Sequence, residues 1–153
     1  MTQRIYLVIM DETEEARLAL RFAARRAART GGTVHIIALV PKQDFVAFGG
    51  VQATIEEEAR NRAEVLATTA AGSIAAESGL VPVISVKQGE GAQVVRDYLK
   101  EHPEISALVL GAASEGAPGP LVTHFVTQNP GKLPCPLMII PGALPDEELD
   151  RVT

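Results

Sequence analysis

Tryptophan is absent from this 153-residue chain, and cysteine occurs once, at Cys135. A lone cysteine excludes an internal disulfide framework and any cysteine-cluster zinc site. The three histidines, His35, His102 and His124, are scattered with no pair at ligand spacing, so no metal site is expected. No apolar run approaches the roughly 18 residues of a membrane-spanning helix. Met1-Thr2-Gln3-Arg4 leads straight into an apolar segment without a small-residue cleavage site, so no secretory leader is expected. Without leader or disulfides, the cytoplasm is the expected location. Basic residues are also outnumbered, 14 against 19 acids, for a formal charge of −5. That balance disfavours a general nucleic-acid binder, which needs a basic surface.

Small aliphatic residues are plentiful: 46% of the chain is apolar while only 4% is aromatic. The length suits one globular domain with a proper core. Five short Val/Ile/Leu runs stand out: Ile5–Met10, Val34–Val40, Val81–Val86, Ala107–Leu110 and Leu137–Ile140. They barely alternate, which is the mark of parallel strands covered on both faces. Between them lie segments of helical period. The first, Glu14–Thr30, is capped by Asp11 or Thr13 and followed by Gly31. The second, Thr54–Ser78, opens on a Thr54/Glu57 capping box and ends at Gly79. Gly91–His102, closed by Pro103, is the third, and a shorter Leu121–Gln128 the fourth. Strands alternating with helices make a single α/β domain: a doubly wound parallel sheet with helices on both faces, residues 1–142. Residues 143–153 read as an acidic tail, with four acids against one arginine.

In such a sheet ligands bind beyond the carboxyl ends of the strands, where strand order reverses. Asp11, at the tip of the first strand, is either an acceptor for an amine or ribose hydroxyl, or a plain helix cap worth about 1 kcal/mol. The loop from Gly111 to Gly119 holds three glycines and precedes a helix, as a phosphate cradle or a simple connection would. It contains no lysine and no Walker pattern. After the second strand, Phe45 and Phe48 either fold onto the core or form a lid or partner surface. Arg17, Arg21, Arg25 and Arg29 recur every four residues, and a solvated helix face fits them better than a phosphate-binding one. Cys135, between two prolines, reads as a small buried residue. There is no nucleophile elbow, and nothing in the pattern demands catalysis. A receiver domain is set aside: Val86-Lys87-Gln88 and Ile140-Pro141 stand where it needs an aspartate and a lysine.

Up to about Gly142 the chain resembles the universal stress protein family. The matching pieces are Ile5 to Asp11 with Thr13 and an alanine-rich helix, Val34 to Val40, Gly89 before the third helix, Ala107 to Gly111, and Leu133-Pro134-Cys135-Pro136-Leu137-Met138-Ile139-Ile140. The resemblance implies a five-stranded sheet of order 3-2-1-4-5, with the switch point between strands 1 and 4. It implies a homodimer through Leu137–Ile140, and adenine-nucleotide contacts at Asp11, Val40 and Gly111. Many members hold ATP phosphates on a Gly-x2-Gly-x9-Gly-Ser/Thr loop; others lack that loop and do not bind ATP. Here Ser114 takes the second glycine position and His124-Phe125 the last pair, and no other register restores the motif. Two functions follow as expectations. One is a non-catalytic stress-response dimer with a degenerate nucleotide loop, acting through an unidentified protein partner. The other is an ATP- or AMP-binding module with slow ATP hydrolysis.

Overall fold

The computed structural model describes residues 3–40 and 50–153, and at residues 50–53 the backbone alone. Five strands, β1 (Ile5–Met10), β2 (Thr33–Val40), β3 (Val83–Gln88), β4 (Ala107–Ala112) and β5 (Leu137–Pro141), form one sheet. All neighbours pair in parallel, in the order β3-β2-β1-β4-β5. Central β1 is buried at every position. Its side chains alternate across the sheet, Tyr6, Val8 and Met10 to one core and Ile5, Leu7 and Ile9 to the other. The first core packs under α1 (Glu14–Thr30) and the second half of α2 (Gly50–Ser78), the second under α3 (Gly91–Glu101) and α4 (Pro120–Thr127).

Three expectations need correction. The outer strands are not covered on both faces. β3 has no fully buried residue, and Val83 and Ile84 are exposed, because this strand has a neighbour on one side only. Its start also moves inward from Val81, which lies outside the ladder and is largely exposed. The Thr54/Glu57 capping box does not form, since α2 begins at Gly50 and Thr54 lies inside it. Along α2, Ala59, Ala63, Ala67, Ala70 and Ile74 form the buried stripe against the sheet.

The arginine stripe is not simply solvated. Residues 146–152 form a further helix, α5 (Asp146–Val152), seated on α1. Leu149 is fully buried there. Around it Arg21 pairs with Asp146 at 2.8 Å, and Arg25 and Arg29 approach Asp150 at 3.2 and 3.9 Å. Most of the acidic surplus at the chain's end is therefore set against bases of the first helix. Among the described residues no helix is long and apolar enough to cross a membrane.

Candidate functional site

The crossovers after β1 and β2 leave over one face of the sheet, and those after β3 and β4 over the other. The chain therefore diverges at the carboxyl ends of neighbouring β1 and β4, and a crevice opens there. It is a cleft of about 650 Å³ with Ile9, Leu39 and Leu110 as apolar walls and Asp11, Glu90 and His124 among its polar lining. A volume of that order suits a small organic ligand.

Asp11 and Thr13 divide the two roles between them. The Asp11 carboxylate accepts from the Thr13 backbone N–H at 2.9 Å and from the Thr13 hydroxyl. Thr13 in turn caps α1, its Oγ1 accepting from the Ala16 N–H at 3.2 Å. So the cap is Thr13, and Asp11 is an exposed, braced carboxylate on the cleft wall. Two bonds leave it acceptor capacity for a ligand.

Gly111 lines the cleft beside Asp11, for a reason of packing. A Cβ there would lie 2.1 Å from the Glu15 carbonyl oxygen, so the end of β4 rests directly on the first turn of α1. Past it, Ala113 N–H bonds the Pro118 carbonyl at 3.0 Å and folds the loop back, which brings Pro118, Gly119 and Pro120 to the cleft. Ser114 and Thr123 are exposed and are not among its lining residues. Val40 does not line it either. Alternation along β2 turns Val40 into the core under α2 and presents Leu39 to the cleft, while the Val40 carbonyl takes the Gly89 N–H at 3.3 Å. Phe45 and Phe48 lie outside the described residues.

Sequence reasoning missed two contributors. Glu90 is the N-cap of α3, its carboxylate accepting from Ala92 N–H at 3.2 Å and Gln93 N–H at 2.9 Å. Glutamate is not among the favoured capping residues, which is why it gave no signal. The other is Arg96 on α3, whose guanidinium reaches His124 Nε2 on α4 at 2.7 Å and stands over the Phe125 ring. A guanidinium only donates, so this bond requires Nε2 without a proton. The two residues sit 28 positions apart on separate helices, and only their packing joins them.

A second groove, of about 500 Å³, runs beside α1 and α2 and includes Arg17 and Arg21. Both arginines are already engaged, Arg17 with Glu14 and Arg21 with Glu77 and Asp146. Away from either groove, buried His35 shares a 2.7 Å hydrogen bond with Tyr98, which stacks on His102. Burial holds the His35 pKa below its ordinary value, with a smaller contribution from the His102 charge. Cys135 is half-buried, and burial raises its thiol pKa, the opposite of what a reactive thiolate needs.

Residues 1–141 match the sequence model of a family described as the universal stress protein family. The chain belongs to the universal stress protein family. Among solved structures it is similar to the universal stress protein UspA from Lactobacillus plantarum, at 22% identity and a TM-score of 0.77, over 92% of this chain and 99% of that one. It is also similar to a universal stress protein from Archaeoglobus fulgidus in complex with dAMP, at 20% identity and a TM-score of 0.62, over 92% and 99% of the two chains. A universal stress protein in complex with cAMP aligns at 13% identity and a TM-score of 0.61, over 92% and 98%. At such identities the likeness is one of fold. No curated protein matches the chain. The universal stress protein match ends at residue 141, so α5, which covers the arginine stripe, lies beyond it.

Proposed function

We propose that this universal stress protein is a non-enzymatic, dimeric signalling module that binds an adenine ligand in the cleft between β1 and β4. The carrying observation is the cleft itself, placed at the switch point, walled by apolar residues and presenting the braced carboxylate of Asp11. Apolar walls suit a purine face, and a fixed carboxylate suits an exocyclic amine or ribose hydroxyls. The complexes of family members with dAMP and cAMP support the same ligand class. A non-catalytic role is supported by how the polar groups are used: Asp11 braces Thr13, Glu90 caps α3, and His124 Nε2 takes the Arg96 bond. The proposed setting is the cytoplasm; among the described residues no helix is long and apolar enough to cross a membrane.

The dimer is proposed through β5. This edge strand has β4 on one side only and carries a half-exposed Ile139. Such an edge offers unpaired backbone groups and apolar surface to a second copy.

Calorimetric titration with AMP tests the ligand. Binding that is lost in Asp11→Ala is the expected result, and no heat with any adenine compound would sink it. Sedimentation tests the dimer: Ile139→Glu should halve the mass, and an unchanged dimer would exclude β5 as the interface.

A further inference from the structure

The formally charged residues that line the cleft are all acidic. Asp11, Glu15 and Glu90 all line it, and no lysine or arginine does so among the described residues. The nearest fixed cation, Arg96, stands behind the lining His124 with its guanidinium bonded to Nε2 at 2.7 Å, and does not itself line the cleft. We propose that the cleft selects an adenine nucleoside carrying at most one phosphate, and discriminates against the di- and triphosphate. The proposal rests on the adenine reading of the same site.

Two features of the walls carry it. The Asp11 and Glu90 carboxylates are held in place by backbone N–H groups at the starts of α1 and α3, so neither can swing away from an incoming anion. Part of the donor set at those helix starts is also already in use: Thr13 Oγ1 takes Ala16 N–H, and Glu90 takes the Ala92 and Gln93 N–H groups. A polyphosphate would need these donors or a fixed cation to offset its charge. Of the helices that reach the cleft, α4 alone begins without a side-chain cap, at Gly119-Pro120, on the wall that carries no acid. That leaves room for one phosphate, whereas each further phosphate adds about one negative charge in the field of fixed carboxylates.

The test is calorimetric titration of the full chain with adenosine, AMP and ATP, in EDTA and at low salt. AMP and adenosine should bind, and ATP should bind about tenfold or more weakly than AMP. Raising the salt to about 0.5 M should narrow that gap, because the discrimination is electrostatic. Glu90→Gln keeps an acceptor for the α3 cap and removes a charge, so it should raise the ATP-to-AMP affinity ratio several-fold. ATP binding as tightly as AMP would overturn the selectivity while leaving the adenine site standing. An unmoved ratio in Glu90→Gln would also overturn it. If neither adenosine, AMP nor ATP binds, the adenine reading fails and takes the selectivity with it.

Discussion

Truncating Leu149 to alanine should release α5 from the domain without unfolding the rest. Leu149 is fully buried against the α1 core, and it is the one fully buried side chain of that seven-residue helix. Burying a leucine contributes about 2–3 kcal/mol. The ion pairs around it contribute less. The Asp146 and Asp150 side chains are 58% and 72% exposed, and pairs in such surroundings are worth roughly 0.2–1 kcal/mol each. A helix of this length has little stability alone, so its docking hangs on the leucine. Native-state hydrogen exchange of the last amides reads this directly; the Thr153 N–H, bonded to Leu149 O at 3.0 Å, is one of them. Leu149→Ala should speed their exchange by about 30- to 100-fold, at 1.4 kcal/mol per tenfold. Global unfolding in denaturant should change less than a central-core leucine truncation would, because a terminal helix detaches and leaves no closed cavity. Asp150→Asn, or about 0.5 M salt, should speed exchange by less than about fivefold. The reasoning fails if Asp150→Asn or salt frees α5 as completely as Leu149→Ala does. In that case the arginine stripe holds the helix, and burial does not.

Two further outcomes follow from the same structure. Gly111→Ala should destabilise the domain by about 1–3 kcal/mol or more, since its Cβ must push β4 and α1 apart from a 2.1 Å clash; a thermal melt unchanged from wild type would contradict it. Stability should also fall as the pH drops below about 6.5. His35 has a depressed folded-state pKa, so the unfolded chain takes up its proton first; that contribution is complete above the unfolded value and is lost through the interval below it. His102 and Glu104 also act on it electrostatically, so the His35→Gln comparison isolates its share. If His35→Gln leaves the slope of stability against pH unaltered, His35 is not its source.

The sheet was readable from local pattern. Runs such as Ile5–Met10 and Ala107–Leu110 barely alternate because both faces of β1 and β4 are covered, and Glu14–Thr30 carried its own cap, stripe and terminal glycine. Period and capping are short-range properties, and one sequence suffices for them. The order 3-2-1-4-5 came from family likeness, and alternation alone would not have supplied it. The outer strands were misjudged because exposure depends on how many neighbours a strand has, and Val83 and Leu137 look alike in sequence whether central or at an edge.

At the site, the chain by itself marked Asp11 at a strand tip, and comparison with the family's motif showed Ser114 and His124 where two of its phosphate-loop glycines belong. Tertiary structure decided what those residues do. Gly111 proved to be the place where two backbones touch, and Thr13 took the cap and left Asp11 facing the cleft. Val40 turned inward beneath α2. Arg96 met His124 across two helices, and the acidic end of the chain found the arginine stripe of α1. These are contacts between residues far apart in sequence, set by which faces the packed layers bring together. The small aliphatic residues that replace the missing aromatics let those layers close, but only the closed layers show which charges face each other.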